Sequence, residues 1–266
     1  MAAIGVALSL WSATLRGELQ YRSNFLIMVL MGVVWQGTGF AFIWVVFSRF
    51  QAVAGWTLGE VAFLYGLRLT MHAFTGVLAG DLHSLEWKVR QGDFDRYLVR
   101  PMPALLQILF QRITVSIFGD LLGGLVLFMA ASTLVTVDWT PLAIFYLLLA
   151  LIGGALIELS LRLLFSSFAF RFLSASSFMG LIDTLFSNFG NYPLKIFGTA
   201  LEFLLTFAVP LAFMAYFPAT VLLGRTGELS ISPLFAYGAP LAGILWLFLA
   251  VLVFQREMRH YQSSGH

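Results

Sequence analysis

Long apolar runs separated by short polar connections dominate the chain from residue 24 onward. A helix needs about 20 apolar residues to cross about 30 Å of hydrocarbon, and several runs reach that length. The runs are continuous and do not alternate between apolar and polar positions, so they predict transmembrane helices rather than the strands of a barrel. The predicted spans are residues 24–48, 58–80, 104–131, 142–165, 174–190 and 238–255.

Residues 1–22 have a different, one-sided pattern. The apolar positions recur at spacings of four and three, whereas polar residues fall largely on the other side. The apolar positions are Ile4, Leu8, Trp11, Leu15 and Leu19. This pattern predicts a helix that lies in the membrane interface, with the indole at headgroup level. A frayed terminal tail is the alternative.

Residues 191–228 do not fit a simple span. They are interpreted either as one more span kinked at Pro210 or as two short helices that enter the bilayer and turn back. Six crossings with both termini inside would place Arg16, Arg22, Lys88, Arg90, Arg96, Arg100, Arg112, Arg171, Arg256 and Arg259 inside, and Arg49, Lys195 and Arg225 outside. A seventh crossing would move Arg256 and Arg259 outside, so the positive-inside rule favours a re-entrant segment.

The composition supports a membrane location for the whole chain. The 266 residues are 60% hydrophobic, 16% aromatic and 11% charged, and the mean hydropathy is +0.90. A soluble surface does not tolerate this balance, so a single all-α transmembrane domain over residues 1–266 is expected. The absence of cysteine excludes disulfides and thiolate metal sites.

The segment at residues 81–101 is unusually charged for such a chain, and it includes "EWKVRQGDFDRYLVRP". Leu85, Val89 and Phe94 give a short helix an apolar side, and Gly92 permits a turn that a side chain would resist. Asp93 or Asp95 is expected to cap the helix that follows, and Pro101 and Pro103 to precede the third span. A charged amphipathic helix between spans indicates a docking surface, with an ordinary solvated loop as the alternative.

These residues carry a family resemblance. "VRQGDFDRYLVRP" resembles the segment between the second and third spans of ABC-2 type permeases, the membrane subunits of ABC exporters. "LRGELQYRSNFL" resembles the interfacial helix of that family, and "NYPLKIF" with Pro210 resembles its outer re-entrant element. Within the family, the chain looks closest to the branch with paired permeases that includes viologen exporters.

The resemblance implies a coupling helix that fits a cleft in an ATPase subunit. The residues that would form or shape this contact are Glu86, Lys88, Arg90, Gly92, Asp93, Asp95 and Arg100. It also implies two ATPase subunits, a second permease as homodimer or related heterodimer partner, lipid contact and no nucleic acid. The expected location is the inner (plasma) membrane with both termini cytoplasmic, and the substrate is an amphipathic or hydrophobic molecule moved outward.

The chain has no sequence from which a phosphate-binding loop can be built. The pattern G-x-x-x-x-G-K-[ST] is absent, and Gly is nowhere followed by Lys. ATP and Mg²⁺ are therefore expected on the partner ATPase. This chain is expected to hold no cofactor and to have no catalytic residues.

Ionisable residues inside the predicted spans are expected to face protein or water, because each would cost about 2.5–3.5 kcal/mol in lipid. They are Arg68, Asp120, Glu158, Arg162 and Asp183. Glu158 and Arg162 are four residues apart and are predicted to pair, and Arg68 and Asp120 are expected to pair between spans. Structural ion pairing is the favoured role of these residues. The alternative is that one acid, with Asp183 as the first candidate, is left over to meet a cationic or polar substrate. His72 is alone in its span, so no metal site is predicted.

Two further patterns bear on packing and on function. The glycines of "GVLAG" and "GDLLG", at 76–80 and 119–123, predict closely packed helices. An intramembrane hydrolase using Asp120 and Asp183 remains an alternative, although the motifs around both residues are incomplete. A secondary transporter would need matching broken spans in two halves, and only one late break is present.

Overall fold

The computed structural model describes residues 2–79, 82–172 and 175–263, and these are mostly helical. The helices are α1 Ala2–Gln20, α2 Arg22–Phe47, α3 Leu58–Ala79, α4 Leu85–Arg90, α5 Asp95–Leu98, α6 Ala104–Phe110, α7 Ser116–Ser132, α8 Pro141–Ser167, α9 Ala175–Asn188, α10 Thr199–Phe207, α11 Tyr216–Leu222, α12 Pro233–Tyr237 and α13 Ala239–Met258. Single 3₁₀ turns cover Leu82–Ser84, Phe168–Phe170, Leu194–Phe197, Leu211–Phe213 and Thr226–Glu228. A small antiparallel hairpin, which the sequence did not predict, pairs β1 Ala52–Val53 with β2 Trp56–Thr57.

Three of the described helices are long and apolar enough to cross a membrane: α2, α8 with its following turn, and α13. The count rises to five if two bent helix pairs each form one span. One of these pairs begins with α3, which is bent by 60° relative to residues 82–90. A multi-pass helical membrane protein is therefore confirmed, whereas the count of six crossings stays a prediction. The predicted boundaries at residues 80, 81 and 174 lie outside the described part of the chain.

The region predicted as one third span, residues 104–131, is divided. Helix α6 ends at Phe110 and α7 begins at Ser116, so residues 111–115 are not helical. These residues are "QRITV", two polar residues followed by three β-branched ones, which lose side-chain freedom in a helix. The Gln111 side chain instead accepts a hydrogen bond from the Tyr97 hydroxyl, and its carbonyl accepts one from Thr14 Oγ1 at 3.2 Å. The 17 residues of α7 are left to cross most of the bilayer.

Glycines lie where the long helices cross most closely. Gly32 of α2 faces Gly119 of α7, and a Cβ at Gly119 would collide with the carbonyl oxygen of Val29. Gly153 of α8 and Gly243 of α13 meet in the same way, backbone against backbone. Small residues allow this approach in a membrane, where packing and not hydrophobic burial holds helices together. The close packing predicted for Gly119 is confirmed.

Other glycines of the two patterns contribute differently. A Cβ at Gly123 would make only an ordinary contact, at 3.9 Å from the Gln36 side chain, whereas one at Gly76 would collide with the Ile117 side chain. Gly80 lies outside the described residues. Close helix contact at these patterns therefore rests on Gly76 and Gly119.

The segment 191–228 is sharply bent. The axes of α10 and of residues 211–222 differ by 79°, and the break between the two helical pieces lies at residues 208–210. Near the ends of the segment, Lys195 Nζ lies 3.5 Å from Glu228 Oε2. The nine residues of α10 span only about 14 Å. The bend fits either a broken span or a re-entrant loop, so the re-entrant segment stays a prediction.

The buried side chains form two hydrophobic cores. The larger core includes Trp56, Phe63 and Phe217 and fills the bundle around α3, α8 and α11. The smaller core includes Phe94 and Phe254 and lies at the other end of the bundle. We call this second end the basic end, since residues 82–115, 168–172 and 254–263 bring together Lys88, Arg90, Arg96, Arg100, Arg112, Arg171, Arg256 and Arg259.

Candidate functional site

A cavity of about 1050 Å³ lies between α2, α3, α9 and the turn Leu194–Phe197. Its walls are largely apolar and include the aromatic residues Trp35, Phe42, Phe47, Tyr65, Phe186, Tyr192 and Phe197. The residues with acidic, basic or imidazole side chains that line it, within the described chain, are Arg68, His72, Arg162 and Asp183. A large aromatic cavity with a few convergent polar groups is typical of a site for an amphipathic small molecule.

Glu158 and Arg162 of α8 form the buried centre of the charges beside this cavity. Arg162 Nη2 lies 2.9 Å from Glu158 Oε1, which confirms the pair predicted from their spacing. The same carboxylate oxygen lies 2.6 Å from His72 Nδ1 of α3. From the sequence, His72 was expected to be alone in its span. Its partner Glu158 could not be identified there, because it lies 86 residues away in the chain.

Asp183 of α9 is not left over, contrary to the alternative from the sequence. Arg162 Nη1 donates to Asp183 Oδ1 at 2.8 Å, and His83 Nε2 lies 2.9 Å from Asp183 Oδ2. Both carboxylate oxygens are therefore engaged by basic side chains. A role for Asp183 as the free acid that meets a cationic substrate is incompatible with this arrangement.

The expected pair between Arg68 and Asp120 does not form. Asp120 Oδ1 instead accepts from Gln36 Nε2 at 2.8 Å, and Asp120 Oδ2 lies 3.8 Å from His72 Nε2. Tyr65 in turn lies with its hydroxyl 3.2 Å from Gln36 Oε1. Polar contacts thus connect Tyr65 to His83 in one continuous series. The residues between them are Gln36 of α2, Asp120 of α7, His72 of α3, Glu158 and Arg162 of α8, and Asp183 of α9.

The order of these contacts also bears on the hydrolase alternative. Asp120 and Asp183 do not face each other, because His72, Glu158 and Arg162 lie between them in the chain of contacts. A paired-carboxylate mechanism needs both acids on one substrate atom. Within the described residues, no group of three or more His, Asp or Glu side chains is arranged to hold a metal ion.

Arg68 of α3 stands apart from this chain of contacts. It is only 6% exposed, and its Nε is buried without a hydrogen-bond partner. No other described residue forms a hydrogen bond or an ion pair with its guanidinium group. Glu158 and Asp120 offset its charge at longer range, so what Arg68 lacks is a hydrogen-bond acceptor, and a group in the cavity that it lines could supply one.

One face of α9 is polar and directed outward. Thr184, Ser187 and Asn188 are exposed and line the cavity, and Ser177 and Gly180 continue this face toward the basic end. Hydroxyl and amide groups are disfavoured in lipid unless they find protein or water partners. The Thr184 and Ser187 hydroxyls donate to carbonyl oxygens of their own helix, so they are compatible with lipid. The exposed Asn188 amide is the group that favours water or a protein surface at the open side of the cavity.

The charged segment at the basic end is anchored by Phe94. Its side chain is 0% exposed, and its ring lies 4.9 Å from Phe170, 4.9 Å from Tyr261 and 5.7 Å from Tyr97. Gly92 has a φ of 74°, which confirms the turn predicted there. The segment is thus a packed part of the protein and not an ordinary solvated loop.

Several charged residues of this segment point inward, contrary to expectation. The Glu86 side chain is 11% exposed, accepts from Arg90 at 3.2 Å and accepts from the backbone N–H of Ser176, at the start of α9. Neither Asp93 nor Asp95 caps the next helix, since Phe94 occupies the cap position. Asp95 Oδ2 accepts instead from Ser263 at 2.6 Å.

Lys88 is half-buried on the same segment. Its Nζ lies 5.2 Å from the centre of the Tyr97 ring. Burial and the nearby Arg112 guanidinium lower the pKa of Lys88 to about 8, partly offset by Asp93. This amine therefore changes charge close to neutral pH.

The outward surface of the segment is apolar and basic. Three apolar side chains of the segment are exposed: Trp87 by 59%, Leu98 by 50% and Val99 by 83%. Arg96 and Arg100, on the same segment, are exposed as well. Sequence reasoning named the charges of this segment but not these apolar residues. Large apolar side chains exposed beside charges, on a segment with its own buried anchor, indicate a site for another protein.

The chain matches a family model described as ABC-2 family transporter protein over residues 33–265. No curated protein and no solved structure was found to match it. The match covers the cavity, the polar contacts beside it and the charged segment at the basic end.

Proposed function

We propose that this chain, which belongs to the ABC-2 transporter family, is the permease subunit of an ATP-driven exporter. Members of this family are membrane components of ABC transporters and work with an ABC ATPase. In this proposal the aromatic cavity is part of the translocation path and the segment 82–100 is the coupling element. The partner ATPase would bind ATP and Mg²⁺, and this chain would hold no cofactor.

The observation that carries the proposal is the combination of anchor and exposed surface in residues 82–100. Trp87, Leu98 and Val99 have no reason to face water on an isolated chain, because burying them against a partner is favourable. The fixed backbone around Phe94 would let a partner push on the segment without unfolding it. Arg96 and Arg100 would then select a partner surface of opposite charge.

Contacts from this segment lead directly to the walls of the cavity. Phe94 packs on Phe170, which directly follows α8, and α8 carries Glu158 and Arg162. Glu86 is bonded to the start of α9, whose polar face lines the cavity. Movement of the segment would therefore displace both helices, which is how rigid elements carry a conformational change.

The proposed topology has six crossings, with the basic end cytoplasmic and residues 191–228 re-entrant from outside. Three contacts support it. Thr14 of α1 bonds Gln111, and Ser263 bonds Asp95, so α1 and the last described residue both lie near the basic end, which supports an even number of crossings. The Lys195 and Glu228 contact holds the ends of the re-entrant segment together at the opposite end. The positive-inside rule gives the orientation.

A second permease, identical or related, would complete the path. The exposed Asn188 amide on the outward face of α9 supports this, since an amide at the open side of the cavity is disfavoured in lipid. The two copies would rock about their shared path as the ATPases close. Placement near the viologen exporters, inside the wider family, is part of the same proposal and rests on sequence resemblance alone.

The coupling surface is tested by Trp87→Ser in the permease reconstituted with its ATPase. Loss of association with the ATPase, or of the change in ATP hydrolysis that the permease causes, is expected. The matched control is Phe50→Ser, since Phe50 is 60% exposed in the loop at the opposite end. A Trp87→Ser permease that inserts normally and still regulates the ATPase as the control does would refute the proposed surface.

A further inference from the structure

We propose that the cavity binds an amphipathic molecule with a negatively charged oxygen group, and that Arg68 holds this group. The inference rests on the proposed function, because it names the class of substrate that the same path would take. It is opposite in charge to the alternative from sequence, in which a free acid would meet a cationic substrate.

The charges of the lining support an anion. Asp183 is the acidic residue that lines the cavity within the described chain, and both of its oxygens are occupied by Arg162 and His83. Arg162 is likewise occupied, by Asp183 and Glu158. Arg68 remains as the lining cation whose Nε has no hydrogen-bond acceptor, although Glu158 and Asp120 offset its charge at longer range. The lining therefore offers an anion free N–H donors and no free carboxylate.

The burial of Arg68 makes it a built site and not a surface charge. Its side chain is held among α3, α8 and α9 in a position where water is largely excluded, and a buried N–H donor without an acceptor is unfavourable. The planar guanidinium can donate two parallel hydrogen bonds to a carboxylate or a phosphate. A ligand that brings such a group would therefore gain an interaction that the empty cavity lacks.

The remaining walls define the rest of the ligand. Trp35, Phe42 and Phe197 form an apolar surface next to Arg68, and a volume of about 1050 Å³ exceeds that needed for a small ion such as phosphate alone. An extended or multi-ring apolar body would cover these aromatic rings. The class is thus an acidic amphipath, with the acid at Arg68 and the body along α2.

Binding can be measured on the purified permease alone, in nanodiscs, without ATPase. The probe is 11-(dansylamino)undecanoic acid, and its methyl ester and a dansylated undecyl trimethylammonium serve as neutral and cationic counterparts. The acid is expected to bind tightest to the wild-type protein. Arg68→Gln should weaken binding of the acid about 10- to 100-fold and leave binding of the ester unchanged. Arg68→Lys should have an intermediate affinity for the acid, since it keeps the positive charge but loses the two parallel hydrogen bonds of the guanidinium.

Arg22→Gln is the matched control, because it removes an exposed arginine at the start of α2, away from the cavity. It should bind all three probes as the wild type does. Tighter binding of the cationic probe to the wild type, or equal binding of acid and ester, would overturn the inference even if Arg68→Gln fails to fold. So would a correctly folded Arg68→Gln that binds the acid normally.

The outcome separates this inference from the proposed function. Anion binding that depends on Arg68, together with no response of the ATPase to Trp87→Ser, would leave the site in place and remove the coupling surface. Normal coupling without selective anion binding would do the opposite. The binding experiment therefore tests only the anion site, and the Trp87→Ser experiment tests only the coupling surface.

Discussion

Replacing Phe94 by alanine should disconnect the coupling segment from the bundle. The side chain is fully buried and packs against three aromatic rings. Removing a buried Phe costs about 3–5 kcal/mol, of which the ring pairs account for about 0.5–1.5 kcal/mol each. Phe94→Leu keeps most of the buried apolar area and loses mainly the three ring pairs, so it should cost at least about 1.5 kcal/mol but less than Phe94→Ala.

The effect should be local. Helices α4 and α5 have six and four residues and cannot persist without tertiary contacts. Hydrogen exchange of residues 85–100 should therefore rise strongly in Phe94→Ala and moderately in Phe94→Leu, while the amides of α2 and α8 stay protected. The permease should also lose its influence on the ATPase in the same order.

The matched control is Phe63→Ala, since Phe63 is equally buried but belongs to the larger core, where it packs 4.8 Å from Phe128. It should lower the overall thermal stability without selectively exposing residues 85–100. If Phe94→Ala left exchange of that segment unchanged, the anchor would not hold the segment. If exchange rose but coupling persisted, the segment would not be the coupling element.

Two further outcomes follow from the described contacts. Gly119→Val should lower the unfolding temperature of the purified permease, at a cost of about 1–3 kcal/mol, because the new side chain meets the backbone at Val29. Gly180→Val is the control and should change the unfolding temperature little, since no atom lies within 4 Å of a Cβ added there. Equal effects of the two substitutions would refute the close approach at Gly119. Competitive amine labelling read by mass spectrometry should show Lys88 titrating near pH 8, with Arg112→Gln moving its pKa upward. The unfolded chain holds the proton of Lys88 up to about pH 10.4, so Lys88 makes folding more favourable as pH rises between these values. An unshifted titration in Arg112→Gln would exclude repulsion by Arg112 as a cause.

What the sequence could predict was mainly local or compositional. The Glu158 and Arg162 pair follows from a spacing of four on one helix, and the turn at Gly92 follows from the conformational freedom of glycine. The long spans α2, α8 and α13 follow from apolar length alone. Each of these features depends on residues that are neighbours in the chain.

What it could not predict depends on contacts distant in sequence. His83 meets Asp183 across 100 residues, and Glu86 meets Ser176 across 90. Such pairs have no signature in one sequence, so neither His83 as the partner of Asp183 nor Ser176 as the partner of Glu86 could be predicted. The break at 111–115 was missed because its short polar pair lies between two apolar stretches of ordinary length.

The length of α8 has a geometric consequence. Phe170, against the coupling segment, and Arg162, beside the cavity, are eight residues apart, or about 12 Å along the axis. A tilt of about 10° pivoting at Phe170 would move the backbone at Arg162 by about 2 Å. The bond from Arg162 to Asp183 is 2.8 Å long and ceases to be a hydrogen bond beyond about 3.5 Å. If α8 tilted in this way relative to α9, Arg162 would release Asp183 and the charge that faces the cavity would change. A small difference between the movements of the two helices at the basic end would then alter the electrostatics of the cavity.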